Sequence, residues 1–203
     1  LLKGHRDFGL IVTARFADGK VVLLGVLPGR KKKTVANFPR SIPERLKSTI
    51  HSACCDMYEG YTEALSEEWP KVRIVIDRFH VAKTYRDGVD GLRKQEMKRL
   101  KSTLSKEEYK QLKGSLWVVR KRPQDLNSEQ KRAQQFLFEY SPDLKTAYEL
   151  QEQLTDIFDE PISKSIAKTK IRDWMERVSA SGVKCFDAFI KTLNRFSNAS
   201  FST

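Results

Sequence analysis

Asp56 and Asp77 each stand directly after a short run of β-type residues, at 50–55 and 72–76, and His80 follows Asp77 by three positions. In open α/β sheets, functional groups gather at the carboxyl ends of strands. A carboxylate there can face a shared cleft, where Mg²⁺ takes few protein ligands and fills its shell with water and substrate phosphate. The same two positions also suit helix caps, because an Asp before a helix can accept a hydrogen bond from an otherwise unpaired N–H. Position alone supports both readings for each Asp. His80 can pair with Asp77, share a metal with it, or serve as an ordinary hydrogen-bonded histidine.

A second set of residues suits a polyanion. The chain carries 38 Lys+Arg against 26 Asp+Glu, a net charge of +12. Lys and Arg displace the counterions condensed on nucleic-acid phosphates, so this balance favours a nucleic-acid partner. Arg30, Lys31, Lys32 and Lys33 form one basic run, which either contacts backbone phosphates or is a solvated loop. Trp117, among Lys113, Arg120, Lys121 and Arg122, either stacks on an exposed base or anchors a core. The sequence contains no Gly-rich phosphate loop, no zinc-ligand cluster and no Gly-x-Ser-x-Gly elbow.

The elements that must position these groups change character near residue 85. Residues 10–16 and 21–26 are β-type runs flanking Asp18-Gly19, a strong hairpin signal because the tight turn needs positive φ. A segment interrupted by Pro39 and Pro43 follows. A strand over 50–55, a helix over 58–68 and a strand over 72–76 then predict a βαβ unit with parallel pairing. Beyond residue 85 the pattern is helical. Val81, Tyr85, Val89 and Leu92 keep helical spacing, Ser105 with Glu108 predicts a capping box, and Ser141-Pro142 opens a further helix. Ile171, Trp174, Met175 and Val178 form an apolar stripe closed by Ser181-Gly182, and Val183, Phe186, Phe189, Ile190 and Leu193 form the last. These stripes are read as core, not chemistry. Net charge is +6 for residues 1–85 (15 basic, 9 acidic) and +6 for 86–203 (23 basic, 17 acidic), so the first part is the more basic per residue.

Three cysteines, Cys54, Cys55 and Cys185, form no disulfide framework, which fits a reducing cytosol. No apolar run approaches the roughly 18 to 20 residues needed to cross a bilayer. The first residues, Leu1-Leu2-Lys3-Gly4-His5, lack the apolar region of a signal peptide and a starting Met.

Several segments together resemble the insertion-sequence DDE transposases of the ISL-three type. They are Leu2-Lys3-Gly4-His5-Arg6-Asp7-Phe8, Cys55-Asp56-Met57-Tyr58-Glu59-Gly60-Tyr61 and Ile74-Val75-Ile76-Asp77-Arg78-Phe79-His80-Val81-Ala82-Lys83. Leu112-Lys113-Gly114-Ser115-Leu116-Trp117, followed by Lys121-Arg122-Pro123, is similar to the family's insertion. The Asp-Arg-Phe-His-Val block, about twenty residues after Asp-Met-Tyr, is the most specific piece.

The resemblance implies an α/β fold: a partial RNase H-like mixed sheet with a long all-helical insertion. It divides the chain into a partial catalytic core (1–85), the insertion (86–190) and a return to the core (191–203). It implies three carboxylates, Asp, Asp and Glu, holding two divalent ions, Mg²⁺ or Mn²⁺, for DNA cleavage and strand transfer. Asp56 takes the place of the second catalytic and metal-binding Asp, with Asp77 and His80 supporting the site. The first Asp and the final Glu fall outside residues 1–203, so this stretch alone is expected to be inactive. DNA, as transposon ends and target, is the implied partner, with a homo-oligomer in the intact enzyme and a bacterial cytoplasmic, nucleoid-associated location. Two other readings are a non-catalytic remnant that binds DNA or dimerises, and a nucleic-acid-processing nuclease of the same general fold.

Overall fold

The computed structural model describes residues 9–112, 114–196 and 200–201, and these form a mixed α/β, predominantly helical protein with two small sheets. The described residues fall into two compact units, one running up to Asp77 and taking in residues 200–201, the other beginning at Arg78. No helix among them is long and apolar enough to cross a membrane.

In the first unit, β1 (Gly9–Arg15) and β2 (Val21–Pro28) pair antiparallel. The turn forms where Asp18-Gly19 predicts it. Gly19 takes a φ of +84°, and its N–H donates to the Phe16 carbonyl at 3.0 Å. The Asp18 carboxylate accepts from the Lys20 N–H at 2.9 Å. Register slips between Val12 and Thr13, leaving Leu24 as the extra residue of a bulge. Leu10, Val12 and Ala14 share the half-buried face, whereas Ile11, Leu23 and Val26 lie on the exposed one.

The chain then enters α1 (Lys32–Ser41) and a single turn, α2 (Glu44–Lys47). The parallel pair β3 (Ser52–Cys55) and β4 (Arg73–Ile76) is bridged by α3 (Glu59–Glu68), as the βαβ pattern predicts. Helices α1 and α3 meet through Val35, Ala36 and Ala64, with Leu10 and Tyr61 packed against them. Ion pairs from Lys32 to Glu63 and Glu67, at 3.1 and 2.7 Å, line the seam. Arg40 Nε adds a bond to Glu68 at 2.7 Å.

The second unit opens with α4 (Arg78–Thr103), one uninterrupted helix. It continues through α5 (Lys106–Gln111), α6 (Ser115–Val118), a 3-10 turn (Pro123–Asp125), α7 (Ser128–Tyr140), α8 (Pro142–Asp159), α9 (Lys164–Ser181) and α10 (Asp187–Arg195). Ser105 and Glu108 form the reciprocal capping box, and Gly182 ends α9 at φ +74°. The apolar stripes are core: Tyr85, Val89, Leu144, Leu154, Trp174, Phe186 and Phe189 are all buried. After α10 the chain supplies β5 (Ser200–Phe201), which pairs parallel with β4 in the first unit's sheet.

Gly88 is where α4 receives the segment ahead of α10. A Cβ there would lie 2.2 Å from the Cys185 carbonyl oxygen, backbone that cannot rotate aside. Gly88→Ala is therefore expected to cost about 1–3 kcal/mol, the usual range for overpacking, despite the better helix propensity of Ala. Urea denaturation followed by helical circular dichroism measures it, and an unchanged midpoint would remove the close approach as a constraint.

Candidate functional site

The register of β3 on β4 sets Cys55 beside Ile76, so the next residues out, Asp56 and Asp77, leave neighbouring parallel strands at the same level. Adjacent strands lie roughly 5 Å apart. The Asp77 N–H donates to the Cys55 carbonyl at 2.7 Å, carrying the ladder to this carboxyl edge. Two acidic residues thus leave one sheet edge side by side.

Asp56 does not serve as the cap its position allows. The N-cap of α3 is Tyr58, and no side chain caps that helix end. Instead Asp56 Oδ1 is buried and meets no hydrogen-bond partner among the described residues. A buried carboxylate oxygen without a donor is costly, and native structures keep such groups where something else binds them.

The neighbouring thiols are held toward the protonated form. Burial pushes Cys55 up to about 12, with the Asp56 and Cys54 charges acting the same way, and Cys54 is raised by burial and then by Asp77. Both stay protonated at neutral pH, which also suits them poorly as metal ligands. Cys185, in the helical unit, is raised by burial to about 12. Among the described residues no group of three or more His, Cys, Asp or Glu side chains stands ready to hold a metal ion.

Two residues past Asp56 the chain begins an aromatic pair, Tyr58 and Tyr61, to which the sequence alone assigns no role, and Arg30 of the basic run joins it. Tyr58 and Tyr61 meet edge to face with centroids 5.1 Å apart, and the Arg30 guanidinium sits over the Tyr58 ring at 4.8 Å. Burial raises the Tyr61 hydroxyl, the Asp56 charge raises it further, and Arg30 opposes them. The i, i+3 spacing of two tyrosines at a helix start was the signal that could have suggested this pairing.

The other predicted residues are dispersed. His80 lies in the first turn of α4, where its carbonyl accepts from Thr84 Oγ1 at 2.9 Å and its ring meets Phe79 edge to face. Lys32 and Lys33 belong to α1 and not to a loop, and Lys32 is engaged with Glu63 and Glu67. Lys31 and Lys33 are exposed and form no ion pair with a described residue. Trp117 is 58% exposed, so it is no core anchor. Lys121 donates to Gln130 at 3.1 Å. Arg122 faces Glu152 at 3.0 Å, Asp159 at 2.8 Å and Asp156, so its charge is held by acidic groups of α8. Arg122 Nε and Glu152 Oε2 are close yet buried out of hydrogen-bond alignment. Burial outweighs Arg122 and raises the Glu152 carboxyl, whereas hydrogen bonding from Arg78 lowers Asp159.

Residues 2–200 match a family model for the ISL-three type described as Transposase. No curated protein and no solved structure matches the chain. The matched span takes in the β1–β2 hairpin, the paired aspartates and the helical unit. The chain therefore belongs to the ISL-three-type transposase family, whose members act on DNA in transposition.

Proposed function

We propose that this chain is part of the catalytic domain of a DDE transposase, and that Asp56 is its second metal-binding carboxylate. The observation that carries the proposal is the buried, partnerless Oδ1 of Asp56 at the carboxyl end of β3. An RNase H-like core is supported by the hairpin, by the parallel βαβ unit and by β5, which pairs parallel with β4.

Asp56 fits a hard cation, because its oxygen is already desolvated and no protein donor competes for it. Two divalent ions, Mg²⁺ or Mn²⁺, would there activate an attacking hydroxyl and stabilise the leaving oxygen. Asp77, beside Asp56 in register, adds negative charge to the same edge, and His80 supports the site one helical turn on. The proposal requires two further carboxylates from outside residues 1–203, and a homo-oligomer acting in the bacterial cytoplasm at the nucleoid. Lys31 and Lys33 are its backbone-phosphate contacts, Trp117 its base-stacking surface, with Arg30, Lys121 and Arg122 as further cations near DNA.

Iron-mediated cleavage tests the metal site. Fe²⁺ with ascorbate and peroxide is expected to cut the polypeptide near residues 56 and 77, and Asp56→Asn should remove those cuts. Absence of local cutting, or cutting indifferent to the substitution, would remove Asp56 as a metal ligand.

The phosphate contacts carry their own prediction. Binding of the chain to a short duplex should weaken steeply with salt, and Lys31→Gln with Lys33→Gln should lower the log–log slope by about 2, near 0.9 per lost phosphate contact. A slope unchanged by the double substitution would place the DNA elsewhere.

A further inference from the structure

The helical unit gathers three cations on one buried anion. Asp90 of α4 is 5% exposed. Its Oδ1 accepts from Arg93 Nε at 2.9 Å, and its Oδ2 lies 3.0 Å from Lys94 Nζ and 3.4 Å from Arg120 Nη2. Burial alone would raise the Asp90 carboxyl, but hydrogen bonds from Arg93 and Lys94, with the charges of Arg93 and Arg120, hold it below its ordinary range. A buried charge needs one partner. Here three cations share it, and none of them pairs with a second carboxylate among the described residues. Positive charge is therefore in excess at this corner, and cations that share one carboxylate repel each other. The group reaches the surface, with the Lys94 and Arg120 side chains 68% and 47% exposed. The segment that brings Arg120 is pinned from α7 and α8. Gln134 Nε2 donates to the Val118 carbonyl at 3.1 Å, Gln151 Nε2 to that of Val119 at 3.3 Å, and the Tyr148 hydroxyl to that of Lys121 at 2.9 Å. These bonds satisfy carbonyls left open at the end of the short α6. They also fix the backbone that carries Arg120, whose N–H donates to the Trp117 carbonyl at 3.2 Å.

We infer that Arg93, Lys94 and Arg120, gathered by Asp90, bind a DNA phosphodiester on the helical unit. The inference rests on the transposase reading for its ligand, and it adds a contact that the unit beginning at Arg78 carries by itself. Asp90 is a positioning residue: it touches the cations, not the phosphate. Asp90 engages Nε of Arg93 and Nη2 of Arg120, and the other side-chain N–H groups of both guanidiniums bond no described residue. Those groups, with the Lys94 ammonium, are donors suited to phosphate oxygens. A phosphodiester brings one negative charge and offsets the repulsion that Asp90 leaves in place. Because Asp90 and the pinned turn after Trp117 hold the donors before DNA arrives, little side-chain freedom is left to lose on binding.

Fluorescence anisotropy with a labelled short duplex, across a salt series, tests this on the chain, with helical circular dichroism to show that each variant is folded. Lys94→Gln combined with Arg120→Gln is expected to weaken binding about three- to tenfold near 0.1 M salt and to lower the log–log slope by about 0.9, one phosphate contact. Asp90→Asn separates positioning from plain charge. It removes a negative charge, so charge alone predicts tighter binding to DNA. Loss of a positioning residue predicts the opposite sign, binding weaker by about threefold or more. Should Asp90→Asn fail to fold, the exposed pair still decides. Parent-like binding by the Lys94 and Arg120 double variant overturns the proposal, and so does tighter binding by folded Asp90→Asn. The slope loss should add to that of Lys31→Gln with Lys33→Gln, which lie in the first unit. Iron-mediated cutting near residues 56 and 77 should be unchanged in all these variants. If that cutting never occurs while the double variant and Asp90→Asn both weaken binding, the metal assignment fails and the phosphate site stands. If cutting occurs and the double variant binds like the parent, the phosphate site fails and the metal assignment stands.

Discussion

Asp56→Asn in the active transposase is expected to lower DNA cleavage by about 10³-fold or more, close to 4 kcal/mol of barrier, with DNA affinity held within about twofold. The substitution keeps shape and removes one charge. The fold should not suffer: Oδ1 has no hydrogen-bond partner to lose, and Asp56 leaves its strand beside another carboxylate, Asp77. Melting temperature should therefore hold or rise while activity collapses, the pattern of a group kept for chemistry at some cost to stability. Asp77→Asn is the necessary comparison. Its N–H continues the ladder whatever its side chain, so it too should fold, and its smaller loss of cleavage would fix the order of the two aspartates. A larger loss for Asp77→Asn would exchange their roles, and loss of DNA binding in step with cleavage would remove Asp56 from the chemistry.

The parts of this fold that could be read from the chain are those fixed by neighbours in sequence. Asp18-Gly19 selects its turn through Gly19's backbone, Ser105 and Glu108 cap each other across three residues, and the apolar stripe of α9 names its own buried face. Where local signals conflict, the reading fails. Helix α1 carries Pro39 in its last turn, so the segment looks broken, although a proline there loses one backbone bond and gains a buried position against the first unit's core. Helix α7 carries a complete local signal of the same kind, the capping box of Asn127 with Gln130.

The site divides along the same line. That Asp56 ends a strand follows from the run before it. That it does not cap α3 and leaves Oδ1 buried without a donor is a matter of tertiary packing, which the run before it does not specify. Charge is equally mute about use. Lys31 and Arg122 look alike as residues, yet one is exposed and the other is held by Glu152, Asp156 and Asp159, 30 or more positions away. Trp117 could have been core or surface, and its exposure decides for the surface.

The opposite fate of Trp174 leads to the largest expected effect on stability. Its ring is wholly buried, meeting Phe186 and Phe189 edge to face at 5.3 and 6.0 Å, and its Nε1–H donates to the Leu150 carbonyl at 2.8 Å. One side chain thereby ties α9 to α8 and to α10, and through Phe189 to Tyr85 of α4. Trp174→Ala removes the dispersion contacts and leaves a cavity among rigid helices, for an expected loss of about 3–5 kcal/mol, a large share of the marginal stability of any domain. Trp174→Phe keeps most of the volume but gives up the hydrogen bond, and should lose less than Trp174→Ala. Urea denaturation of both variants separates packing from hydrogen bonding. A loss below about 1 kcal/mol for Trp174→Ala would mean that the four helices are held by something other than this ring. The Arg122 cluster on α8, where one guanidinium meets Glu152, Asp156 and Asp159, would then be the next place to look.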